Sequence, residues 1–93
     1  MAELSTEDIL LANKIASRMK SLRILDSGDK QVDFANKHGI DKQLITRWES
    51  QITIDNKTNK LKGRGVTIYT VKKFCGMIRI TLKQFFDDEI FYE

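Results

Sequence analysis

The chain has 93 residues, no proline and charges of both signs, a composition typical of one small, helix-rich globular domain spanning residues 1–93. Its only cysteine, Cys75, excludes an internal disulfide framework, and the acidic residues Glu3, Glu7 and Asp8 near its start are untypical of a signal peptide. No run approaches the roughly 20 apolar residues that a membrane span needs, so we expect a cytoplasmic protein with no membrane partner.

The charges are unevenly distributed along the chain. Residues 1–29 carry four basic and five acidic residues, residues 30–86 carry twelve and four, and residues 87–93 carry four acids and no base. A basic middle of this kind is typical of a phosphate-binding surface, although charged faces also serve simply to keep proteins in solution.

The first half of the chain predicts three helices. Ser5 and Asp8 form a capping-box pattern for a first helix from about Thr6 to Leu25, whose apolar side is Ile9, Ala12, Ile15, Ala16, Met19, Leu22 and Leu25. A second helix is expected from about Lys30 to Lys37, with Val32, Phe34 and Ala35 as its apolar side and Gly39 as a left-handed residue after its end. Asp41 caps a third helix within residues 41–50, with Leu44, Ile45 and Trp48 inward and Lys42, Gln43, Thr46 and Arg47 outward.

The second half predicts an irregular segment and two further helices. Residues 51–65 alternate apolar and polar side chains around the turn-like "DNKTN", which indicates either a small β-hairpin or a mobile arm. Thr67 caps a fourth helix that reaches about Ile78, with Ile68, Val71, Phe74, Cys75 and Ile78 inward. Thr81 and Gln84 form a capping box for a fifth helix, followed by an acidic and aromatic tail at 87–93 that we expect to be frayed.

Two short helices joined around Gly39 are typical of the helix-turn-helix motif. From residue 15 to residue 86 the chain resembles the phage repressor and Cro family of DNA-binding domains. "IASRMKSLR" is similar to the family's first helix, "QVDFANKHGIDKQLITRWE" to its central motif, and "GVTIYTVKKFCGMIRITLKQFF" to its last two helices. The resemblance implies an all-α, five-helix lambda-repressor-like fold with an inserted loop or β-hairpin between helices three and four.

The chain departs from the family pattern at three places. Lys30 occupies the usual capping position of the second helix, so Asp29 is an alternative cap. Arg79 stands where the family has a glycine after the fourth helix, which implies either a left-handed arginine or a different helix ending. The third departure is the 51–65 insert itself.

The resemblance also implies which side chains contact DNA. Lys42, Gln43, Thr46 and Arg47 occupy base-contacting positions, and their chemistry suits the major groove, where amides pair with adenine and basic side chains with guanine. Candidate contacts to the DNA backbone are Gln31, Ser50, Lys57, Lys60, Lys62 and Arg64. Arg23 and Glu49 are expected to form a salt bridge, and Trp48 is expected to fix the third helix in the core.

Other chemistry has little support in the sequence. Because His38 is the only histidine, neither a catalytic triad nor a zinc site can be assembled in the usual way, so we expect no enzyme activity, no metal and no cofactor. Cys75 lies on an apolar face and is interpreted as a core residue.

The expected function is sequence-specific binding of double-stranded DNA by a transcriptional regulator, most simply a repressor that acts as a homodimer. Two segments are candidate dimer surfaces: Ile9, Leu10 and Leu11, or the favoured C-terminal Ile90, Phe91 and Tyr92, although either cluster can instead close the monomer core. The alternative is a protein-interaction adaptor, or an antitoxin, in which the 51–65 insert binds a protein partner.

Overall fold

Within residues 5–63 and 65–92, which the computed structural model describes, the chain is mostly helical and carries one small hairpin. The α-helices are α1 Thr6–Ser27, α2 Gln31–His38, α3 Lys42–Trp48, α4 Ile68–Ile78 and α5 Leu82–Phe86. The strands β1 Thr53–Ile54 and β2 Leu61–Lys62 lie between α3 and α4, and a 3₁₀ turn at Glu89–Phe91 follows α5. No helix in the described ranges combines the length and apolar character needed to cross a membrane.

Side-chain caps begin most of these helices where the sequence predicted them. Ser5 with Asp8 and Thr81 with Gln84 form complete capping boxes, which satisfy backbone N–H groups that the helix itself leaves without partners. Asp41 accepts a hydrogen bond from the Gln43 N–H at 2.9 Å. At α2, Lys30 is the N-cap, the position expected from the sequence, but its side chain makes no capping hydrogen bond. The alternative cap, Asp29, is not observed.

Two helices end in the left-handed conformation. Gly39 has φ 66°, as the sequence predicted, and allows the chain to turn sharply from α2 into α3. Arg79 has φ 61° and ends α4 in the same way, so the left-handed alternative for this arginine is the one observed.

Phe74 of α4 lies at the centre of the core. Its ring stacks on Phe34 of α2 at a centroid distance of 5.8 Å and meets Trp48 of α3 and Phe85 of α5 edge to face. Such aromatic contacts add to the free energy gained by burial. The fully or nearly buried apolar residues also include Met19, Ala35, Ile45, Val71 and Cys75.

Three apolar side chains assigned to helix faces from periodicity do not lie in the core. Val32, Ile68 and Leu25 are exposed, because no neighbouring element covers these three positions near helix ends. α1 also continues two residues beyond its predicted end, and its Gly28 cap donates an N–H bond to the Ile24 carbonyl.

Of the two alternatives for the 51–65 insert, a β-hairpin or a mobile arm, its described residues form the hairpin. β1 and β2 pair antiparallel, with Thr53 opposite Lys62 and Ile54 opposite Leu61. Asp55 organises the turn: its N–H donates to the Lys60 carbonyl, its carbonyl accepts from the Asn59 N–H, and its carboxylate accepts from the Lys57 N–H.

The C-terminal tail is not frayed as far as Tyr92. Asp88 caps the 3₁₀ turn, and the Phe91 ring packs 5.1 Å from the Phe86 ring between centroids. Arg18 of α1 ties the tail down by donating hydrogen bonds to the Phe85 carbonyl at 2.8 Å and to Asp88 at 3.1 Å. The tail is acidic, and the basic side chain that pairs with its Asp88 comes from α1, 70 residues earlier in the chain.

Candidate nucleic-acid interface

α3 separates its side chains into a fixed face and a free face. Ile45 and Trp48 are buried, at 1% and 5% exposure, and Leu44 is half-buried beside them. The four predicted base-contacting side chains all lie on the solvent side of the helix: Lys42, Gln43, Thr46 and Arg47. The division predicted from helical periodicity is therefore present, and packing of the buried face fixes which side chains of α3 point to solvent.

Gln31 and Thr46 are joined to each other. The Thr46 hydroxyl donates to the Gln31 side-chain carbonyl at 3.0 Å, and the Gln31 amide donates to Glu49 at 3.1 Å. Two residues that the sequence assigned to separate DNA contacts thus form one bridge from the start of α2 to α3. No sequence signal indicates this bond, because the two residues are brought together by the angle between the helices.

Glu49 also forms the predicted salt bridge with Arg23. The Arg23 guanidinium pairs with both carboxylate oxygens of Glu49, through Nε and through Nη2. A third bond runs from Arg23 Nη1 to the Gly28 carbonyl at 3.2 Å. The guanidinium is almost fully buried, so this pair connects the end of α1 to the residue that ends α3.

The basic residues of the hairpin lie at its tip and on its second strand. Lys57 and Lys60 belong to the turn region, and Lys62 lies on β2; all three are exposed. Ser50, directly after α3, is exposed as well. Arg64, the remaining predicted backbone contact, lies outside the described residues.

A groove of about 600 Å³ lies between α3 and the segment that follows the hairpin. Its lining includes Arg47 of α3, Ser50 directly after that helix, and Gly63 and Thr67 from the segment between β2 and α4. Gly63, directly after β2, therefore lies near Thr46 and Arg47, so the base of the hairpin adjoins the exposed face of α3.

Sequence reasoning missed Asn13, which binds the start of the hairpin. Its side chain makes two hydrogen bonds to the backbone of Ile52, at 2.6 and 3.1 Å. A signal was available, because asparagine is a poor residue for the interior of a helix and its presence in α1 needs a reason. The partner, 39 residues away, could not be identified from the sequence.

The cysteine and the histidine have structural surroundings. Burial raises the pKa of the Cys75 thiol, which favours its unreactive protonated form. His38 lies against the Phe34 ring and contacts Asp26 at 2.8 Å. Among the described residues no group of three or more His, Cys, Asp and Glu side chains is arranged to hold a metal ion.

Comparison of the chain with models of known protein families, with characterised proteins and with solved structures finds no match. A functional assignment therefore depends on the side chains and geometry of α2, α3 and the hairpin. Those elements place an amide, two basic groups and a threonine on one exposed helix face, next to the basic hairpin.

Proposed function

We propose that this protein is a sequence-specific DNA-binding transcriptional regulator, a repressor, with a five-helix fold of the phage repressor and Cro type. The observation that carries the proposal is α3: its buried face is anchored by Ile45 and Trp48, while its exposed face presents paired hydrogen-bonding groups. An α-helix fits the major groove of B-DNA, where each base pair displays its own pattern of donors and acceptors.

Each exposed side chain of α3 suits a particular base edge. The Gln43 amide matches the N6 and N7 positions of adenine, and Arg47 or Lys42 matches O6 and N7 of guanine. The Thr46 hydroxyl already donates to Gln31, which leaves its methyl group to contact thymine.

Contacts to the phosphates would hold α3 in register. Gln31 stands at the first position of α2, where helix N-termini favour anions, and the Glu49 and Thr46 bonds fix its side chain there. Ser50 and the basic residues Lys57, Lys60, Lys62 and Arg64 would extend backbone contacts beyond α3. The concentration of positive charge in residues 30–86 supports this assignment.

A homodimer is the form that we propose for DNA binding, since paired helices spaced by about 34 Å match successive turns of the major groove. The 3₁₀ turn of the C-terminal segment packs against α1, the helix that also carries Ile9, Leu10 and Leu11. Phe91 packs against the Phe85 and Phe86 rings, so the C-terminal segment contributes to the monomer core. Leu10, Leu11 and Tyr92 remain exposed and are the residues available for a dimer contact.

A second candidate function is a protein-interaction adaptor, or an antitoxin that combines both activities. The observation in its favour is the pair Ile54 and Leu61, which face each other across the hairpin and are 52% and 40% exposed. Ile52, directly before β1, is buried and supports the fold instead.

Selection of bound duplexes from a random DNA library, at near-physiological salt, tests the proposal. Low salt would strengthen phosphate-driven binding and conceal specificity. We expect a two-fold motif, with Gln43→Ala and Arg47→Ala each weakening binding to the selected site by about 1 to 3 kcal/mol and changing binding to random DNA little.

Arg79→Ala is the matched control for Arg47→Ala, because it removes the same charge at an exposed position outside α2, α3 and the hairpin. No enrichment with folded protein would contradict the proposal, and loss of a protein partner on Ile54→Asp or Leu61→Asp would then support the adaptor. If Gln43→Ala and Arg47→Ala weakened binding equally on every DNA sequence, the protein would instead be a non-specific DNA binder.

A further inference from the structure

We infer that Asn13 holds residues 51–63 as a preformed basic wing beside α3, so that Lys57, Lys60 and Lys62 reach DNA phosphates without first being ordered. The inference rests on the proposed function, because it assigns the wing the DNA backbone as its ligand. Asn13 is a positioning residue: it acts through the backbone of the wing and is itself partly buried on α1.

The Asn13 side chain pairs with the wing as a neighbouring strand would. Its Nδ2 donates to the Ile52 carbonyl at 3.1 Å, and its Oδ1 accepts from the Ile52 N–H at 2.6 Å. One amide thereby satisfies both backbone polar groups of Ile52, a residue that is only 4% exposed. The two bonds fix the position and the direction of the chain just before β1.

Neighbouring contacts reinforce this attachment from both ends of the wing. At the start, the Gln51 amide donates to the Asn13 carbonyl at 3.3 Å and to the Ser17 hydroxyl at 3.2 Å. At the end, Gly63 has φ 94°, and a Cβ placed there would lie 2.9 Å from the Gln51 carbonyl oxygen. The two ends of the wing therefore close on each other above α1, in a form that requires glycine at position 63.

The pairing of β1 with β2 divides the side chains of the wing between two faces. Because side chains alternate along a strand, Ile54 shares a face with its partner Leu61, and Thr53 shares the other with its partner Lys62. The base of the wing meets the groove beside Arg47 and Ser50, at the C-terminal end of α3. The base of the wing thus adjoins the exposed face of α3.

A short two-stranded ribbon is marginally stable in isolation, so its order depends on such an anchor. Without the anchor, the lysines could still reach phosphates, but binding would have to order the segment and would lose the corresponding conformational entropy. Asn13 should therefore increase DNA affinity only when the wing carries its lysines, because it acts by holding them in place. That dependence separates a positioning role from a general contribution to folding.

The test combines Asn13→Ala with neutralisation of the wing by Lys57→Gln, Lys60→Gln and Lys62→Gln. Binding to the selected duplex, or to a random-sequence duplex if no site is recovered, is measured for all four combinations over a range of salt concentrations. Amide hydrogen exchange of residues 53–62 is measured without DNA. Ser21→Ala, at an exposed position on the same helix, is the control, and Gln51→Ala loosens the same attachment from the side of the wing.

We expect Asn13→Ala to weaken DNA binding about 10-fold in the wild-type background and by less than about 2-fold in the neutralised background. Hydrogen exchange in the wing should accelerate in Asn13→Ala and Gln51→Ala while the thermal midpoint changes little. Neutralising the lysines should lower the slope of log K against log salt by about 0.9 for each phosphate that the wing no longer neutralises.

Equal losses from Asn13→Ala in both backgrounds, or no loss in either, would overturn the inference and leave the proposed function standing. Absence of binding by the wild-type protein to every duplex would overturn the proposed function, and the wing would then lack its ligand. Unchanged hydrogen exchange in the wing of Asn13→Ala would show that another contact holds it, which also overturns the inference.

Discussion

Asp26 illustrates how much one side chain near a helix end can organise. Its carboxylate accepts hydrogen bonds from the Ser27 hydroxyl at 2.6 Å and from Lys37 at 3.0 Å, and it lies 2.8 Å from His38 Nε2. Burial raises the pKa of Asp26, but the bonds from Ser27, His38 and Lys37 outweigh it, so the pKa falls from 3.8 to about 2. The cluster joins the end of α1 to the end of α2, directly before the turn at Gly39.

The lowered pKa predicts a pH-dependent stability. A carboxylate whose pKa is lower in the folded than in the unfolded protein stabilises the fold above its unfolded pKa, and this contribution disappears as pH falls through the folded pKa. We expect Asp26→Asn to lower the free energy of unfolding at pH 5 by roughly 1 kcal/mol, after allowing for solvent screening at this partly exposed site.

Urea unfolding followed by circular dichroism at a series of pH values checks this prediction. The difference between wild type and Asp26→Asn should shrink between about pH 4 and pH 2. The exposed Asp29, three residues on, provides the control, since Asp29→Asn should change stability by less than about 0.5 kcal/mol. A difference that stays constant through the acid range would contradict the role given to ionised Asp26.

At the scale of elements, helix ends decide where the chain can turn. The turn from α4 to α5 repeats the backbone geometry of the turn from α2 to α3: in both, a left-handed residue follows the helix, and the next N–H returns to a carbonyl of the last turn. Gly39 adopts this conformation without steric cost, whereas Arg79 places a Cβ close to the backbone. The arginine is therefore a strained ending that the flanking helices hold in place.

Replacing Arg79 by glycine should relieve the strain of its left-handed conformation and stabilise the protein. We expect Arg79→Gly to increase the free energy of unfolding by about 1 kcal/mol, because glycine adopts φ near 60° without the Cβ contact. Thermal and urea unfolding measure the change. Arg79→Ala keeps the Cβ and should show no such gain, so equal stabilisation by both variants would point to removal of the charge instead.

At the scale of the whole molecule, a buried ion pair and an aromatic centre connect the helices. Arg23 and Glu49 join α1 to the end of α3, and Gln31 brings the start of α2 to the same carboxylate. All buried side-chain nitrogen and oxygen atoms in the described residues have hydrogen-bond partners. Such a pair orients the helices strongly, while its net contribution to stability is small because both charges lose their hydration.

Replacing one member of the Arg23–Glu49 pair should therefore lower the stability of the fold substantially. We expect Glu49→Gln to lower the free energy of unfolding by about 3 to 5 kcal/mol, because it leaves the buried Arg23 guanidinium without a counterion. Equilibrium urea unfolding measures the loss. The paired replacement Arg23→Met with Glu49→Leu should cost markedly less, and the exposed Glu89→Gln should change stability by less than about 0.5 kcal/mol.

A paired replacement as destabilising as Glu49→Gln would contradict this explanation. It would mean that the ion pair itself, and not the unpaired charge, determines the loss. DNA binding by a folded paired variant would further show whether the pair is needed to orient α3, because the replacement also removes the anchor of Gln31.

The sequence by itself determined the helices, the caps of α1, α3, α4 and α5, and the outward face of α3. These features depend on residues close in the chain: Ser5, Asp41, Thr67 and Thr81 each bond to an N–H two or three positions on, and the face of α3 follows from helical periodicity. The Arg23–Glu49 pair was also predicted, through the resemblance to a known family rather than from local chemistry.

Tertiary structure alone decided which polar side chains form hydrogen bonds to a distant part of the chain. The Thr46–Gln31 bond, the Asn13 attachment of the wing and the Arg18 contact with the tail join residues between 15 and 70 positions apart. Ile68 and Val32 fit a helical pattern but lie where no neighbouring element covers them. The physical reason is the same in each case: helix-forming patterns act within a few residues, whereas hydrogen bonds and burial between elements depend on how the whole chain packs.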